Sequence, residues 1–136
     1  MKINHKKGMT LFEILVATLV FTLALGVLLS SLTGILYLIA QAKDETIAVS
    51  DLKNVAERIR ATPFNSVVTF FPNGVQDGPS FNLYQALVGG YNLTNEHITV
   101  TYPNVNADPL EIRITATWQG KYGRSFSTAL STFKTR

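Results

Sequence analysis

The chain has no cysteine among its 136 residues. That excludes disulfides, thiolate zinc sites and thiol nucleophiles. Histidine is scarce. His5 lies near the start, and His97 has no cysteine or second histidine close in sequence to complete a metal set. His97 therefore reads as a satisfied or solvated side chain. There is no glycine-rich phosphate cradle and no G-x-S-x-G motif. Asp77, Glu96, Asp108 and Glu111 are scattered, without the paired spacing of acid–base catalysis. The loop from Asn106 to Glu111 carries too few convergent carboxylates for a calcium site. These absences leave no case for an enzyme, a bound metal or a cofactor. Asn92-Leu93-Thr94 fits a glycosylation sequon, a pattern with a high chance frequency.

A basic stripe is also missing. The formal charge is +3, yet Lys2, Lys6 and Lys7 all lie in the first eight residues. From residue 9 onward, nine basic side chains balance nine acidic ones. Such a body does not neutralise a run of phosphates, so nucleic acid is not an expected partner. Charge is absent altogether from Ile14 to Ala42, and no proline precedes Pro63.

What fills that uncharged stretch is leucine, valine, alanine and isoleucine. About 20 apolar residues cross a bilayer as a helix, and the run from Met9 to about Ala40 is longer. Ser30, Ser31 and Thr33 are tolerable there because hydroxyls bond the preceding helical carbonyls. The lysines precede the run and Lys43-Asp44-Glu45 follows it. The positive-inside rule then puts the N-terminus in the cytoplasm and the remainder across the membrane. A cleaved secretory signal has an apolar core of about 7–15 residues and a small-residue cleavage site. This run is too long and no such site ends it. A plain signal anchor fits the hydropathy but does not explain Glu13, because an ionised group inside a bilayer is costly.

Taken together, Lys6-Lys7-Gly8-Met9-Thr10-Leu11-Phe12-Glu13 resembles the leader junction of the type IV pilin superfamily, which includes type IV pilins and the pseudopilins of type II secretion. That pattern is a short basic leader ending in Gly, a hydrophobic residue, Thr, two further hydrophobic residues and Glu, followed by an apolar helix. Met9 stands where Phe is usual. The resemblance implies that a prepilin peptidase cuts between Gly8 and Met9 on the cytoplasmic side and methylates the new amine of Met9. It implies a chain held first in the lipid of the bacterial inner membrane, with a periplasmic head. An inner-membrane assembly platform would then draw it, with other pilin or pseudopilin subunits, into a pilus or pseudopilus. Glu13 of an incoming subunit would meet the Met9 amine of a neighbour. Two isolated charges would become one pair in a low-dielectric setting, where loss of either partner is strongly destabilising. The C-terminal cysteine pair of many major pilins is absent, which points to a minor pilin or pseudopilin. A major pilin, or a single-pass anchored periplasmic binding protein that does not assemble, are the alternatives.

Beyond the apolar run, Ile47, Leu52, Val55, Ala56 and Ile59 recur at helical spacing, with Asp51, Lys53, Glu57, Arg58 and Arg60 among the polar positions between them. Thr62-Pro63 ends that pattern. One helix over about 10–62 is expected, with its second half on a small head. From Pro63 to Ser80 turn residues predict a loop, pinned by Phe64, Phe70 and Phe71. Phe81 to Val88 reads as a short helix stopped by Gly89-Gly90. The period then falls to two in His97–Tyr102, Leu110–Trp118 and Arg124–Phe133, the last two joined by a hairpin at 119–123. The expected fold is α+β of the pilin-like type, with about three antiparallel strands on the half-helix. The expected divisions are a leader (1–8), a membrane and filament-core segment (9–42) and a head (43–136).

Overall fold

The computed structural model describes residues 10–79 and 84–136. The chain divides into two compact units between Ala40 and Gln41. Both take part of a single helix, α1 (Leu11–Ala61). No break occurs near Ala42, where two separate helices could have met, because nothing there disfavours helical backbone. The helix ends where Pro63 requires it. The N–H of Thr62 still donates to the Arg58 carbonyl at 3.0 Å, and its hydroxyl caps the same carbonyl at 2.8 Å.

In the second unit, α1 buries Ala48, Leu52, Val55, Ala56 and Ile59, four of which the sequence periodicity singles out. Ile47 packs at the edge of this stripe. After α1 come a 3₁₀ turn (Phe64–Ser66) and a single helical turn, α2 (Val67–Phe70). A sheet follows, with β1 (Gln76–Asp77), β2 (His97–Thr101), β3 (Leu110–Gln119) and β4 (Ser125–Lys134) in that spatial order and antiparallel throughout. Ile98 and Val100 of β2, with Leu110, Ile112, Ile114, Ala116 and Trp118 of β3, turn inward and join the helix stripe in one core. Each such aliphatic side chain contributes roughly 1.5–3 kcal/mol on burial. The result is the two-layer α+β arrangement that the sequence implies.

Three local expectations are corrected. The sheet has four strands, not about three. β1 spans two residues and pairs Gln76 with Thr99 and Asp77 with Ile98, too short a stretch to show alternation. Residues 84–88 are not helical. Their backbone donors turn elsewhere: the N–H groups of Tyr84 and Ala86 both reach the Asp77 carboxylate, and Gln85 takes a left-handed φ of 52°. The rest of that expected helix, Phe81–Leu83, lies outside the described residues. Finally, Phe71 is buried and Phe64 packs on the core, but Phe70 is largely exposed and is not part of the core.

The β3–β4 hairpin is closed by Gly120, whose N–H donates to the Arg124 carbonyl at 2.8 Å. Trp118 and Phe126, register partners across the two strands, stack at 5.9 Å between ring centroids. A Cβ on Gly120 would stand 2.5 Å from the Phe126 ring, so any larger residue here must displace that ring.

Candidate functional site

The first unit presents a helix surface rather than a pocket. Every leucine, valine, isoleucine and phenylalanine from Leu11 to Ile39 is exposed. The mean hydropathy reaches 2.4 over the most apolar window, none of it buried. α1 is therefore long and apolar enough to cross a membrane. Monomeric soluble proteins rarely leave a contiguous apolar patch above a few hundred Å², and an exposed apolar helix of this length is of the kind that lipid or neighbouring helices cover. The threonine hydroxyls inside the run are internally satisfied. Thr18 donates to the Leu15 carbonyl (2.9 Å), Thr22 to that of Leu19 (2.8 Å) and Thr33 to that of Ser30 (2.8 Å). Nothing lies within 4 Å of a Cβ built on Gly26 or Gly34.

Glu13 sits in the first turn of α1 and forms a reciprocal box with Thr10. Its Oε2 accepts the Thr10 backbone N–H at 2.8 Å and the Thr10 hydroxyl at 3.1 Å. Its own N–H donates to Thr10 Oγ1 at 3.3 Å. This is a capping box, which satisfies donors that the helix start leaves orphaned. The T-x-x-E spacing announces it, yet a reading centred on the carboxylate's cost in lipid passes over it. The bonds to Thr10 use Oε2 alone, so Oε1 remains as a further acceptor. Gly8 and Met9, the expected processing residues, lie outside the described residues, as do the leader lysines and His5.

The second unit holds several acids that lie far apart in the sequence. Asp77 is fully buried and accepts the Tyr84 N–H (3.3 Å), the Ala86 N–H (2.6 Å) and the Tyr91 hydroxyl (2.5 Å). Burial pushes the Tyr91 hydroxyl well up, and its bond to Asp77 adds to this; burial and then the Asp77 charge move Tyr84 up to about 12. Glu96 is also fully buried, and its Oε2 accepts the N–H groups of Asn92 (3.2 Å) and Leu93 (3.1 Å). Asp51 faces the core side of α1, 7 % exposed, not the solvent-facing position expected of a helix acid. Its carboxyl meets that of Glu96. Asp108 stands apart beside Arg136 at 3.7 Å, and Glu111 is on the exposed face of β3. Among the described residues no three His, Cys, Asp or Glu side chains converge on a point that could hold a metal ion.

Arg58 completes the clamp on residues 84–96 from the helix side. Its Nη1 donates to the carbonyls of Gln85 and Ala86, and its guanidinium lies 5.7 Å from the Phe71 ring centroid. Comparison with protein-family models, with curated proteins and with solved structures finds no match to this chain.

Proposed function

We propose that this chain is a pilin-like structural subunit, of the minor pilin or pseudopilin kind, built into a pilus or pseudopilus through α1. One observation carries the reading: a continuous helix from Leu11 to Ile39 whose leucine, valine, isoleucine and phenylalanine side chains are all exposed, following the Gly8-Met9-Thr10-Leu11-Phe12-Glu13 junction in the sequence. Lipid covers that surface while the subunit waits in the inner membrane, its N-terminus cytoplasmic. The same surface of neighbouring subunits covers it in the filament. Cleavage after Gly8 by a prepilin peptidase creates a cation at Met9, which is then methylated. Glu13 receives the amine of a neighbour and fixes the axial stagger. The Oε1 left over by the capping box is the acceptor available for it.

The capping box favours a second reading, a single-pass anchor in which Glu13 serves the helix start alone. Glu13→Gln separates the two, because glutamine supports a capping box but carries no charge. A pilin-like subunit with this change is still processed and inserted but is not assembled. A plain anchor is indifferent to it.

The first experiment expresses the chain with and without a prepilin peptidase and determines the mass and N-terminus of the membrane-bound product. A product starting at N-methylated Met9 supports the proposal. An intact Met1 in the presence of an active, matched peptidase overturns it and leaves the anchor. Cleavage after the apolar run assigns the chain to ordinary secretion.

A further inference from the structure

The head contains two carboxyls that meet in the dark of the protein without a donor between them. Asp51 Oδ2 and Glu96 Oε1 are both buried, and neither receives a hydrogen bond from any N–H or O–H group. Two carboxylates in contact cannot both ionise there; the contact becomes a hydrogen bond as soon as one of them carries a proton. Among the described residues, neither acid forms an ion pair with lysine or arginine. We propose that Asp51 and Glu96 share one proton at neutral pH and so form a proton-held latch between α1 and the turn at residues 92–96.

Other titratable and polar groups pack around the pair. On β1, Asp77 is taken up by its own three donors. Tyr84 and Tyr91, from the segment between β1 and β2, stay neutral because burial raises their hydroxyls. At the start of β2, the His97 ring lies toward Gly78, where an added Cβ would stand 2.5 Å from Nδ1. β3 offers only uncharged contacts to this turn: the Gln119 N–H donates to the Thr94 carbonyl at 2.8 Å and the Asn95 amide to Gln119 Oε1 at 2.7 Å. Burial is the main cause raising both carboxyls. The Asp51 charge raises Glu96 further, against the pull of the Leu93 and Asn92 N–H groups.

The sign follows from the raised values. The closed latch keeps a proton that the open, hydrated acids release above the ordinary carboxylate range of about 4. Each opening thus releases one proton, and rising pH favours the open form by about tenfold per pH unit until the closed pair itself ionises. Opening frees the Asn92 and Leu93 amides from Glu96.

Amide hydrogen exchange on the full chain in detergent micelles tests this, with rates corrected for intrinsic pH dependence. Between about pH 5 and about pH 7, protection at Asn92 and Leu93 should fall roughly tenfold per pH unit in the wild type. Asp51→Asn supplies an amide donor to Glu96, so its protection should be flat with pH. Glu96→Gln should flatten it as well and stands in for Asp51→Asn should that variant not fold. Infrared spectra of the wild type at neutral pH should show one buried carboxylic-acid carbonyl. Flat wild-type protection, an unaltered slope in both variants, or absence of that infrared band would each overturn the latch. So would a gain in protection on adding calcium or magnesium that Asp51→Asn abolishes, since a cation would then occupy the proton's place.

Discussion

Asp77→Ala is the substitution whose cost the structure sets most directly. The carboxylate is fully buried and holds three donors from one stretch of chain. Alanine leaves all three without an acceptor. A buried donor stripped of its partner costs about 1–3 kcal/mol. Some water will enter the vacated space, so the sum falls short of three full penalties, at about 3–5 kcal/mol. A domain of this kind has roughly 5–15 kcal/mol in all. The variant should therefore lose roughly a fifth or more of its stability. The single tryptophan is a suitable reporter, because Trp118 is buried against Phe126. Denaturant unfolding of the full chain in detergent, followed by Trp118 fluorescence, measures the loss. Asp77→Asn keeps one acceptor oxygen and should cost less, about 1–3 kcal/mol. A loss below about 1 kcal/mol for Asp77→Ala would refute the reasoning, because the three donors would then have found other partners at no cost.

Gly120→Ala drives a methyl into the Phe126 ring, and the β3–β4 hairpin should lose about 1–3 kcal/mol by the same unfolding assay; restoring wild-type stability with a smaller side chain at Phe126 would tie the loss to that ring. Gly26→Ala and Gly34→Ala place methyls in open space, so head unfolding should stay within about 0.5 kcal/mol of wild type. A drop in filament yield by shearing in these same variants would locate the closest helix approach at the two glycines.

The apolar run and the helix stripe were legible because both are periodic signals carried by many residues. Leu52, Val55, Ala56 and Ile59 fall where a 3.6-residue period puts them. The core positions of β2 and β3 likewise follow alternation. The acids were not legible. Asp51 has the composition of a solvent-facing helix residue, and only the fold brings Glu96 to it from 45 positions away. Asp77 sits in a stretch whose Asp-Gly-Pro reads as a turn, and its partners are mainly backbone amides, which no side-chain pattern announces. The same amides explain why the helix expected at Phe81–Val88 does not form at its described end: a carboxylate from the sheet took donors that helical carbonyls would have needed. Glu13 shows the converse. Its capping role was written in four letters, but attention to charge concealed a short-range hydrogen bond.

The described residues between β1 and β2 form no helix or strand, yet they are fastened at both ends by carboxylates that grip main-chain N–H groups. Main-chain amides are the same whatever residue bears them, proline aside. The fastening itself reads no side chain, and the demand falls instead on Ala86, Leu87 and Leu93, which are buried in the core. Val88, 79 % exposed, could be exchanged for other residues while Asp77, Tyr91 and Glu96 keep the segment in place, whereas Gly89 and Gly90, at φ of 114° and 93°, hold backbone that favours glycine. A head built this way separates what its outer face displays from what keeps it folded, and can change the first at little risk to the second.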